Sequence, residues 1–82
     1  MDWKVEERQQ GRYMFRLKVK EKAKEKKISQ GRLSRMADVD DNTLQKVFRD
    51  PHANITLYTL DKLAVALGVD IRDLIESVPE EP

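Results

Sequence analysis

Apolar positions along this chain recur with two different periods. Near the start, Tyr13, Phe15, Leu17 and Val19 alternate as in a strand, while Phe15, Val19 and Ala23 recur at helical spacing. The continuation "KVKEKAKEKK" consists of good helix formers, which favours a helix over about residues 14–27. The alternation leaves room for a short strand or arm nearer the N-terminus. Ser29 then stands where a helix cap belongs, ahead of "QGRLSRMA" with Leu33, Met36 and Ala37 facing inward. "DVD" reads as a turn. Asp38 tolerates the left-handed conformation better than most residues, and Val39 is an apolar plug. Asp40 is placed to cap a helix starting near Asp41, whose inward stripe is Leu44, Val47 and Phe48.

Pro51 ends that helix, and Thr56 caps "LYTLDKLAVAL", where Leu57, Leu60, Leu63, Ala64 and Leu67 form an apolar face. Gly68 occupies the position glycine favours after a helix. Asp70 opens a last helix, "IRDLIESV", with Ile71, Leu74 and Ile75 pointing one way; Pro79 and "EEP" close the chain. The pattern predicts an all-α domain of five short helices. Residues 1–13 form an arm, 14–77 the helical body and 78–82 a tail.

Composition narrows the function classes. Eighty-two residues suit one small domain, and a chain of this size buries only roughly 60% of its unfolded surface. With no cysteine and one histidine, neither disulfides nor a Cys- or His-based metal site is expected. His52 lacks triad partners, the glycines form no phosphate loop, and the carboxylates sit at helix caps, so no enzyme and no cofactor are expected. No segment approaches the ~20 apolar residues of a membrane span, and the start does not resemble a signal peptide. The expectation is a soluble, cytoplasmic protein without a membrane partner.

Net charge is only +1, but it is unevenly spread. Residues 16–35 hold nine basic and two acidic side chains, residues 36–82 four basic and ten acidic. Such asymmetry can create a basic face that the total conceals; the plainer reading is a solvated lysine-rich helix.

"ISQGRLSRMADVDDNTLQKVF" followed by "ITLYTLDKLAVALGVDIRDLIE" resembles the Cro and lambda-repressor type of helix-turn-helix, the XRE family, over roughly residues 14–76. The matching positions are Ser29, Gln30, Leu33, Ser34, Val39, Thr43, Leu44 and Val47. The second half matches the pattern "TLxKLAxALGV…DLI" from Thr59 to Ile75. The wording also resembles short single-domain bacterial and phage regulators. Three departures stand out: Asp38 replaces a turn glycine, Phe48 stands where many relatives carry glutamate, and the following loop offers only Arg49 and His52.

The resemblance implies a lambda-repressor-like fold with the helix-turn-helix at helices 2 and 3. Its recognition helix, about 41–49, would enter the major groove of double-stranded DNA. It implies a sequence-specific transcriptional repressor that binds paired half-sites as a homodimer. By the same resemblance Asp41, Asn42, Gln45 and Lys46 are the base-reading candidates. Asn or Gln can bridge adenine N6 and N7, Lys can donate to guanine, and Asp can accept from cytosine. Ser29, Gln30, Arg32, Thr43 and Arg49 are the phosphate candidates, aided by the backbone N–H groups at the start of helix 2. Ile71, Ile75 and Val78, or the N-terminal arm, are candidate dimer surfaces. An alternative is an antitoxin or adaptor of the same fold acting mainly through a protein partner. The acidic second half, the weakly basic loop, and Trp3 with Tyr13 in the arm would suit it.

Overall fold

A computed structural model of the chain describes residues 13–79, so residues 1–12 of the expected arm, Trp3 included, and tail residues 80–82 lie outside the described residues, while Tyr13 of that arm opens a strand. Strand β1 spans Tyr13–Leu17. Helices α1 (Val19–Glu25), α2 (Gln30–Ala37), α3 (Asp41–Arg49) and α4 (Leu57–Leu67) follow, then a 3-10 turn at Ile71–Asp73 and strand β2 at Ile75–Pro79. The described residues are therefore mostly helical, with four α-helices and a two-stranded sheet among them, and the expected all-α bundle of five helices is corrected at both ends.

At the N-terminal end, the helix expected from residue 14 begins only at Val19. Residues Tyr13–Leu17 pair antiparallel with β2, Arg16 lying opposite Glu76 and Leu17 opposite Ile75. At the C-terminal end, the helical spacing of Ile71, Leu74 and Ile75 is satisfied by a single 3-10 turn. Leu74 is then fully buried and Ile75 half-buried on entering the strand. A helix beyond this point would run into Pro79, which disfavours helical backbone at the residue before it. Strand pairing instead satisfies the backbone groups, and β2 takes in Val78 and Pro79, which the sequence assigned to a tail. Asp70 still caps, though it caps a turn. The side-chain hydrogen bonds with Arg72, together with the Arg72 backbone N–H, hold the Asp70 carboxyl below its usual range.

Three helices end alike, each with a left-handed residue that lets the chain reverse. Ile28 N–H donates to Ala23 O after Lys27, Val39 N–H to Ser34 O after Asp38, and Val69 N–H to Ala64 O after Gly68. Gly68 (φ 70°) takes this conformation freely; Asp38 (φ 56°) and Lys27 (φ 58°) carry a Cβ into it at a cost. The expectations for Gly68 and Asp38 hold, and nothing in the sequence marked Lys27.

Caps behave less uniformly. Ser29 Oγ accepts from Arg32 N–H at 3.2 Å and Thr56 Oγ1 from Thr59 N–H at 3.1 Å, as expected. Asp40 occupies the cap position of α3 but its side chain makes no capping bond.

The core gathers Leu17, Val19, Leu33, Leu44, Leu60, Leu63 and Leu74, each nearly or fully excluded from solvent. Helix α2 lies at its centre, packed against both α3 and α4, while α1 packs on the same pair. Two expected inward residues are not buried: Met36 is 47% exposed and Leu57 71% exposed. Phe48 is half-buried against the core. The only buried polar side chain among the described residues, Ser34, donates from Oγ to Val39 O at 2.6 Å and ties α2 to the turn.

Candidate nucleic-acid interface

Helix α3 divides cleanly. Leu44 and Val47 are buried (0% and 2% exposed) and pin it to α1 and α2. Asp41, Asn42, Gln45, Lys46 and Arg49 are all exposed, and Thr43 is half-buried. Residues 42, 45, 46 and 49 recur at the spacing of one helical face. Nine residues make a rod about 13.5 Å long at 1.5 Å rise. With side chains it is about 10–12 Å across, and the major groove is about 12 Å wide, so such a rod can lie in it.

The angle of α3 is set locally. Helix α2 stops at Ala37, Asp38 turns the chain at φ 56° and ψ 49°, and Val39 plugs the turn at 7% exposure. Ser34 fits because it is small, and its hydroxyl also takes the Val39 carbonyl that the sharp turn leaves without a helical partner. At the far end Asp50 N–H closes α3 on Lys46 O. The Asp50 carboxylate then accepts from His52 N–H at 2.9 Å, forming a turn with Ala53 N–H on Asp50 O. That turn is fastened to β1, because Leu17 N–H donates to Pro51 O at 2.7 Å and His52 Nδ1 lies 2.7 Å from Phe15 O.

The phosphate candidates lie at the start of α2 and along α3. Ser29 is exposed and spends a lone pair on capping, which leaves its O–H free to donate. Gln30 is half-buried as the first residue of α2, and Arg32 is exposed two residues on. Gly31 between them has open space around it: an added Cβ would meet only Arg35 Nη1, at 4.0 Å. Packing therefore gives no reason for glycine there.

The basic segment is less free than its sequence suggests. Glu76, from the acidic half of the chain, folds back onto it, 3.1 Å from Arg16 Nη1 and 3.6 Å from Lys18 Nζ. Arg16 also meets Glu21 at 2.8 Å, and Lys22 meets Glu25 at 3.5 Å. Among the described residues no ion pair engages Lys20, Lys24, Lys26, Lys27, Arg32 or Arg35, all exposed. The positive surface is thus centred on the later part of α1 and on α2. Sequence reasoning missed the Glu76 pairing, because only the strand register reveals it.

A model of the Cro/C1-type HTH DNA-binding domain matches residues 18–80. The chain belongs to that family. Family membership makes it a regulator-type DNA-binding module, a non-enzymatic class. A crystal structure of a candidate DNA-binding protein from Bacteroides fragilis is similar at 27% identity and a TM-score of 0.68, over 77% of this chain and all of that one. The crystal structure of the transcriptional regulator VanUg shares the fold, with a TM-score of 0.67 at 23% identity over 83% of this chain and 89% of that one. No curated protein matches the chain. No helix among the described residues is long and apolar enough to cross a membrane.

Proposed function

We propose that this Cro/C1-type domain is a sequence-specific binder of double-stranded DNA and a transcriptional repressor, with α3 as the helix that enters the major groove. One observation carries the reading. The polar side of α3, comprising Asp41, Asn42, Gln45 and Lys46, is exposed along its whole length, while Leu44 and Val47 anchor the opposite side. Asn42, Gln45 and Lys46 read base edges, and Asp41 accepts from a cytosine amino group at the acidic entrance. Ser29, Gln30, Arg32, Thr43 and Arg49 hold the flanking phosphates. Asp38, Asp40 and Asp41 repel phosphate nearby, so they favour selectivity over affinity.

Selection of bound sequences from a random duplex pool tests this directly. With the selected site in hand, Asn42→Ala and Lys46→Ala should each cost ~1–3 kcal/mol of specific binding and relax preference at one position. Wild-type affinity in both variants would remove α3 as the reading element.

A second reading, a domain acting through a protein partner, is favoured by α4. Leu57, Tyr58 and Val65 stand 71%, 74% and 73% exposed on it, an apolar surface that DNA would not use. A salt titration with random duplex separates the two, since phosphate contact weakens steeply with salt. No duplex binding even at low salt would favour the protein partner, either a second copy or a different chain.

A further inference from the structure

His52 is the sole histidine of the chain and sits in the turn that follows α3. Its Nδ1 lies 2.7 Å from Phe15 O. A backbone carbonyl can only accept, so Nδ1 must carry a proton and donate. That bond fixes the tautomer: in the neutral ring Nε2 is left as an acceptor, on a side chain that is exposed. The Phe15 ring meets the imidazole edge-on, with centroids 6.2 Å apart, and helps hold its orientation.

We propose that His52 is a proton-dependent phosphate contact, through which acid strengthens DNA binding. The proposal rests on the DNA-binding reading above. A phosphate oxygen also only accepts, so the neutral ring offers it nothing and sets lone pair against lone pair. Protonation turns Nε2 into a charged donor without disturbing the Nδ1 bond to Phe15. The turn is fastened to β1 by the Leu17 N–H to Pro51 O bond, and its His52 lies three residues beyond Arg49, a phosphate candidate of that reading.

The charged groups on the elements packed around the ring are few among the described residues. The Asp50 carboxylate is engaged by the His52 backbone N–H. Arg16, next to Phe15 on β1, is paired with Glu21 and Glu76. Arg49, the last residue of α3, is exposed and would share the same phosphates. Binding then takes up a proton at Nε2, so affinity rises as pH falls.

The test measures affinity of the full chain for duplex DNA from pH 5.5 to pH 8 at constant ionic strength, for wild type, His52→Gln and His52→Lys. Wild type should bind about fivefold tighter at pH 5.5, the order of one exposed ionic contact. His52→Gln should show a flat profile at the pH 8 level, and His52→Lys a flat profile at the pH 5.5 level. Independently of any variant, duplex should move the proton-NMR titration of the single imidazole to higher pH. Parallel profiles in wild type and His52→Gln, or a ring titration unmoved by bound duplex, would overturn this proposal alone. No duplex binding at any pH would overturn it together with the reading it rests on.

Discussion

The α2–α3 unit and the β1–β2 sheet are held together in opposite ways. Within the unit, a three-residue turn joins two helices, and the bonds that fix it run between residues five apart, Ser34 and Val39. The sheet joins residues 60 apart, and its visible ties are half-exposed: Arg16 and Glu76 each keep 37% of their side-chain surface. The first element is stiff because local geometry and a buried core agree. The second closes the ends of the domain and, of its described side chains, puts only Leu17 fully into the core. A surface that must be presented to a rigid ligand gains from standing on the first kind of element.

The largest effect should come from the core under α3. Leu44→Ala removes a fully buried side chain that anchors the exposed polar face of α3, and should cost about 2–5 kcal/mol in chemical denaturation. A small domain has ~5–15 kcal/mol in total, so much of its stability would go. A loss below 1 kcal/mol would mean that α3 is not locked to the body, and the contrast between the two regions would fail.

Two substitutions at the turn should move stability in opposite directions. Ser34→Ala deletes the buried donor to the Val39 carbonyl and should destabilise by about 1–3 kcal/mol. Asp38→Gly relieves the left-handed backbone strain and should stabilise by about 1 kcal/mol. Thermal melts of both variants read the signs. If Asp38→Gly destabilises instead, the aspartate contributes something at the turn that outweighs its backbone strain.

The same division decided what the sequence could reveal. Ser29, Thr56, Gly68 and the turn at Asp38 announce themselves because capping and left-handed backbone are properties of one residue and its near neighbours. The two faces of α3 follow from helical period alone. The strands showed only in part: the alternation of Tyr13, Phe15 and Leu17 signals the first against a competing helical spacing, whereas Ile71, Leu74 and Ile75 carry helical spacing and only a partner strand about 60 residues away makes residues 75–79 extended. Met36 and Leu57 were read as core because period tells which residues share a face, not how wide the facing body is. Lys27 gives no signal, since its left-handed conformation is imposed by the bond from Ile28 to Ala23. The exposure of Asp41, Asn42, Gln45 and Lys46 on α3 was legible, whereas Glu76 against Arg16 and Lys18 was not.

The smallest effect belongs to the sheet. A double-mutant cycle on Arg16→Ala and Glu76→Ala should give a coupling of about 0.2–1 kcal/mol, because both groups are partly solvated and Arg16 keeps Glu21 as a second partner. The cross-strand register places them opposite each other, so the coupling should exceed zero and fall with added salt. Glu76→Ala alone also unmasks Lys18, which should raise affinity for random duplex slightly at low salt while leaving the fold intact. A coupling well above 1 kcal/mol would mean that the sheet is no mere closure, and that the stiffness of α3 is shared between both regions.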